Sequence, residues 1–212
     1  MTSTPALLSL MQWLSPAFPT GAYAYSHGLE WAISAGDVTD AAGCQAWLGD
    51  VLQFGTGWQD AVILAQALRA DADHAALAEY ARALAPSRER LAETMDQGTA
   101  FARAIGALGG AVDPAPLPVA VGQAAAALAL PAAQIIAFYL HAFAANLVSV
   151  AVRFIPLGQS DGQQMLANMH PMIIALADAA ATADLSDITT ATIGADLAAM
   201  RHETMDVRVY RT

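Results

Sequence analysis

One stretch constrains this chain more than any other: from Val119 to Val152 it carries no charged side chain. A run of that length exceeds the roughly 20 apolar residues that cross a bilayer. It therefore folds either as a membrane span or as helices hidden in a bundle. Pro131 divides it, alanine fills much of it, and Gln123, Gln134, His141, Asn146 and Ser149 interrupt its apolar character. Projected at about 100° per residue, Gln134, Tyr139, His141, Asn146, Ser149 and Arg153 share one arc, opposite Ile136, Leu140, Phe143, Leu147 and Val150. This is the pattern of a helix buried inside a soluble bundle, with a polar stripe kept for partners or internal hydrogen bonds.

The remaining sequence agrees with helices throughout. Alanine, the strongest helix former, supplies 51 of 212 residues, and alternating apolar and polar stretches are scarce. The expected fold is all-α, a single-domain bundle of about eight to ten helices spanning 1–212. Helices are expected at Leu7–Leu14, Tyr23–Ser34, from Asp40 as a cap to an interruption at Gly55 and Gly57, Gln59–Ala70, His74–Ala85 and Arg88–Leu108. After a linker of Gly109, Gly110, Pro114, Pro116 and Pro118 come Val119–Leu130, Pro131–Phe154, Asp161–Ala181 and Thr190–Thr204. Ser160 and Gln163 have capping-box spacing, and Pro171 is expected to bend its helix.

Charge removes several functions. The sequence has no lysine, so all nine basic residues are arginines against nineteen acids, a formal net charge of −10. Without lysine there is no Walker A phosphate loop, no Schiff-base chemistry and no lysine general base. So acidic a chain is also a poor ligand for nucleic acid, whose backbone is neutralised by Lys and Arg. A single cysteine, Cys44, excludes an internal disulfide, a Cys-based zinc cage and a CxxC pair. The first basic residue is Arg69, so no charged n-region of a secretory signal is visible, and the expected location is the cytoplasm.

Chemistry-bearing constellations are few. The five histidines are scattered without metal-cage spacing. His27 and Glu30, three apart, form the one pair that suggests a ligand. Met165, Met169 and Met172 recur at helical turns, as a packed core face does. A di-iron bundle needs two Glu-x-x-His pairs, and none occurs. No GxSxG or GxGxxG turn appears. The sequence therefore argues against an enzyme. What stands out are three polar segments: Ser15 to Ala32, with Phe18, Tyr23, Tyr25 and Trp31; Arg153 to Gln163, a tight turn flanked by amides; and Met200 to Thr212, which holds three of the nine arginines. Such clustering in an acidic chain suggests a tail that docks on carboxylates of itself or of a partner.

In this order and at this spacing, the three segments resemble the UreF family of urease accessory proteins. Its opening motif, a Phe/Leu-Pro-x-Gly turn followed by Ser-x-Gly-Leu-Glu, is matched within Ser15 to Glu30. Its middle motif, a basic residue ahead of Pro-Leu-Gly-Gln-x-x-Gly-Gln, is matched by Arg153 and Pro156 to Gln163. Its closing motif is matched by His202, Glu203 and Arg208 to Thr212, with Val209, Tyr210 and Thr212 in place of Leu, Phe and Ser.

The resemblance implies a non-enzymatic scaffold or chaperone that forms a homodimer. With UreD (also called UreH) and the GTPase UreG it would build a cytoplasmic complex that inserts nickel into apo-urease and modulates the GTPase. No cofactor is bound tightly: nickel is handled by the complex and GTP by the partner, without nucleic acid or membrane. Segment 1–20 and tail 205–212 become partner-binding extensions. Partner contacts fall to Arg153 and Gln159 of the middle motif, Arg208, Tyr210 and Arg211 of the tail, and Phe18 and Tyr25 of the opening loop, with His27 as the one candidate metal ligand. Open beside this stand an all-helical ligand binder or enzyme using Gln134, His141, Asn146 and Arg153, and direct nickel binding by the isolated chain.

Overall fold

The computed structural model describes residues 3–212; Met1 and Thr2, part of the expected N-terminal extension, lie outside the described residues. Among the described residues ten α-helices follow one another: α1 (Thr4–Trp13), α2 (Leu29–Ser34), α3 (Ala41–Phe54), α4 (Thr56–Ala67), α5 (His74–Ala83), α6 (Arg88–Ala107), α7 (Leu117–Ala125), α8 (Ala132–Phe154), α9 (Gln159–Ala180) and α10 (Ile193–His202). Among the described residues there is no strand. Several starts are written locally. The side chains of Asp40, Asp73 and Ser87 accept the N–H of Gly43 (2.8 Å), Ala76 (3.0 Å) and Arg90 (3.1 Å), caps worth about 1 kcal/mol each.

The charge-free run becomes α7 and α8. Among the described residues only α8 is long and apolar enough to cross a membrane, and in this fold it packs against α2, α3, α4 and α9. Its inner face buries Ile135, Ile136, Leu140, Leu147 and Val150, which join Leu10, Leu48, Leu52, Phe101 and Met169 in one core. It turns back through 155–158 into α9, and the two long helices lie side by side. Gly162 permits this approach, since a methyl there would stand 2.7 Å from the Val152 side chain. Met165 and Met169 are buried and Met172 half-buried, as their spacing predicts. The glycine and proline linker does not divide the molecule, because α7 packs on both α6 and α4.

Three local expectations are corrected. The helix expected over Tyr23–Ser34 is broken: a 3-10 turn, Ala22–Ala24, precedes α2, and His27 (φ 59°) and Gly28 (φ 77°) between them are left-handed. Helix α4 starts at Thr56 because Gly55 alone makes the break. Gly57 lies inside α4, where a methyl would come within 2.6 Å of the Leu52 backbone. Helix α9 starts at Gln159, and the Asp161 carboxylate accepts the Gly158 N–H at 2.9 Å, so Ser160 and Gln163 are not the cap. Tyr139 of the polar stripe makes an internal hydrogen bond of the kind expected there: its buried hydroxyl donates to Asp60 of α4 at 2.7 Å.

Candidate functional site

The three unusual sequence segments meet at one place. After α10 the chain returns alongside residues 24–26 of the opening loop: the Arg211 N–H donates to the Ala24 carbonyl (2.8 Å) and the Ser26 N–H to the Thr212 carbonyl (2.9 Å). Glu30, in the first turn of α2 and 2% exposed, is the anchor. Its carboxylate accepts the N–H groups of Val209 (2.7 Å) and Tyr210 (2.9 Å), and His202 Nε2 lies 3.0 Å away. Gly28 brings α2 to this position, for its Cα lies so close to α10 that a methyl would stand 2.7 Å from the Ala199 nitrogen.

A stripe of acids on α6 receives the rest of the tail. Glu89, Glu93 and Asp96 are spaced four and three apart, which sets them along one helical face. Glu89 accepts from Arg208 and faces His202 Nδ1 at 2.8 Å. The fully buried His202 ring thus stands between the carboxylates of Glu89 and Glu30. Asp96 takes Arg211 (3.2 Å) and the Tyr25 hydroxyl (2.9 Å), while the Arg211 guanidinium lies over the Tyr25 ring, 5.4 Å from its centroid. Glu93 accepts from the Thr212 hydroxyl at 3.0 Å and pairs with Arg90. From the middle segment, Arg153 in the last turn of α8 donates to the Tyr210 hydroxyl at 3.0 Å, and the Tyr210 ring leans on Phe154.

Burial tunes the charges below this tail. Desolvation alone would raise the Glu93 carboxyl, but Arg90 and His27 outweigh it and hold it at about 2. His27 is lowered to about 4, first by burial and then by Arg90; its Nδ1 makes no hydrogen bond, and its ring meets Phe143 edge-on. Asp60 is raised to about 6 by burial. Between pH 6.5 and 4 the unfolded His27 binds a proton that the folded one excludes, so it removes stability as pH falls. Asp60 acts with the opposite sign between about 6 and 3.8, where the folded carboxyl holds the proton. In His27→Asn, chosen because asparagine tolerates the left-handed backbone, urea denaturation is expected to show a shallower stability loss on acidification, by up to about 1.4 kcal/mol per pH unit. An unchanged slope would contradict the buried, neutral histidine.

Beside the tail lies a cavity of about 280 Å³ walled by Trp13, Leu14, Phe101, Phe143 and Val121, with Tyr139, Asn146, Ser149 and Arg153 of the polar stripe at its edge. These polar groups are committed within the protein: Asn146 donates to the Tyr25 carbonyl (3.2 Å), Tyr139 to Asp60 and Arg153 to Tyr210. The stripe mainly serves internal hydrogen bonds.

Of the residues singled out in the sequence, Arg153, Tyr25, Arg208, Tyr210 and Arg211 are brought together. Phe18, Tyr25 and Tyr210 are buried by the chain itself, so in this conformation they hold the surface and do not present themselves to a partner. Phe18 packs on Phe101, and Gln159 stands exposed at the start of α9, outside the cluster. His27 does not share a helical face with Glu30, because its backbone is left-handed and Glu30 is turned to the tail; its nearest acid is Glu93, at 3.8 Å. The α6 stripe went unread, although its spacing was visible.

Fold and site together define an all-helical protein whose most elaborate polar construction holds its own tail. Residues 38–170 match the sequence profile of UreF. A urease accessory protein UreF of Cereibacter sphaeroides (strain KD131) is 62% identical over 98% of this chain and 99% of its own length. Proteins of the same name from Paracoccus denitrificans and Roseobacter denitrificans are 56% and 50% identical, each over at least 96% of both chains. This chain belongs to the UreF family of urease accessory proteins.

Proposed function

We propose that this chain is a non-catalytic scaffold which, as a cytoplasmic homodimer, joins UreD (UreH) and the GTPase UreG in the complex that inserts nickel into apo-urease. The convergence of the three family segments on one docked tail is the observation that supports this reading. Arg208 and Arg211 stay partly exposed while paired to Glu89 and Asp96, so the docked tail forms a shaped, charged surface. In this reading UreD meets that tail surface and the adjoining opening loop, with Phe18, Tyr25 and Tyr210 as its supports. Arg153 and Gln159 face the GTPase. The test is co-expression of urease with UreD and UreG, with and without this chain: metal analysis should find nickel-loaded urease only when the chain is present. Equal nickel content in both would overturn the proposal.

Arg153 allows a sharper test. Its guanidinium is exposed and makes one hydrogen bond, to Tyr210, so Arg153→Ala should cost about 1 kcal/mol or less in a urea melt. Urease activation by the variant is nonetheless expected to fall severalfold. Full activation would remove Arg153 from the GTPase-facing surface. The reading as a ligand-binding protein loses ground because the polar groups at the cavity edge are already paired.

A further inference from the structure

Apart from the tail, a second pair of chemistry-bearing side chains faces outward from the two longest helices. His141 of α8 and His170 of α9 are both exposed, and their ring centroids lie 5.4 Å apart at an interplanar angle of 45°. Two imidazoles on one tetrahedral ion, with metal–nitrogen bonds of about 2.0 Å, place their ring centroids roughly 5 Å apart. The observed spacing therefore suits a shared ion with only side-chain adjustment.

The backbone beneath is held in place. Leu140 and Met169, the chain neighbours of the two histidines, are fully buried core residues of the packed α8 and α9 pair.

We infer that His141 and His170 form a two-imidazole site for a borderline divalent transition ion. Imidazole nitrogen selects zinc, copper or nickel over magnesium or calcium, which prefer oxygen. Among the described residues no group of three or more His, Cys, Asp and Glu is arranged around a metal, so the remaining coordination positions belong to water. The site stands on the isolated chain and is independent of the complex proposed above. It also differs from the sequence-based candidate, since His27 is buried in the core and faces Glu93.

The experiment is equilibrium dialysis of the full chain against zinc chloride and, separately, nickel chloride. It compares wild type with His141→Ala, His170→Ala and His74→Ala. His141 and His170 are exposed, and His74, half-buried at the start of α5 with its Nε2 2.9 Å from the Ala67 carbonyl, serves as a control away from the pair. One saturable ion per chain is expected, weakened at least about tenfold in either of the first two variants and unchanged in the third. Circular dichroism should show equal helix content in all four proteins. Loss of binding on replacing His74, retention in both α8 and α9 variants, or no saturable binding by wild type would each overturn the inference.

Discussion

Glu30→Ala is expected to destabilise the protein by about 3–5 kcal/mol and to release the tail. The carboxylate is almost fully buried and satisfies two backbone N–H groups, of Val209 and Tyr210, as well as one nitrogen of the fully buried His202. Alanine would leave all three without their acceptor, with His202 and Tyr210 in buried surroundings. An unpaired buried donor costs about 1–3 kcal/mol, and more where the group is charged. Glu30→Gln keeps one acceptor oxygen and should fall between wild type and alanine. Urea denaturation gives the stability, and limited proteolysis after Asp206 reports the tail. A loss below about 1 kcal/mol with the tail still protected would mean that Glu30 is not the anchor.

Gly28→Ala tests how α2 is seated. Two costs combine: a left-handed φ of 77°, which alanine adopts at about 1 kcal/mol or more, and a methyl 2.7 Å from the Ala199 nitrogen and 3.0 Å from its Cα. Because the obstacle is backbone, α10 must shift, and overpacking of this kind costs about 1–3 kcal/mol. The expected total is about 2–4 kcal/mol. Gly21 is a control inside the same loop: its φ of 76° is nearly identical, but nothing lies within 4 Å of an added methyl. Gly21→Ala should therefore show only the conformational share. Equal losses in the two variants would show that the α2–α10 approach is unimportant.

The helical bundle was legible because its signals are local: the cap at Asp40, the Gly55 break, Pro131 and a run of alanine. The break at His27 and Gly28 was not legible, since α10 imposes it from about 170 residues away in the chain. Tyr139 likewise joins the buried set only because Asp60 waits on another helix. For the site, charge clustering correctly pointed to a tail docked on carboxylates. The identity of those carboxylates required Glu89, Glu93 and Asp96 to be read as one helical face. The family segments marked which residues matter, but their meeting at Glu30 and Tyr210 is tertiary information.

Removing the docked tail tests most directly the proposed binding of UreD to it. A chain ending at Asp206 should keep its helical circular dichroism and lose co-purification with UreD, whereas the full chain retains it. A folded, truncated chain that still captures UreD stoichiometrically would contradict the account.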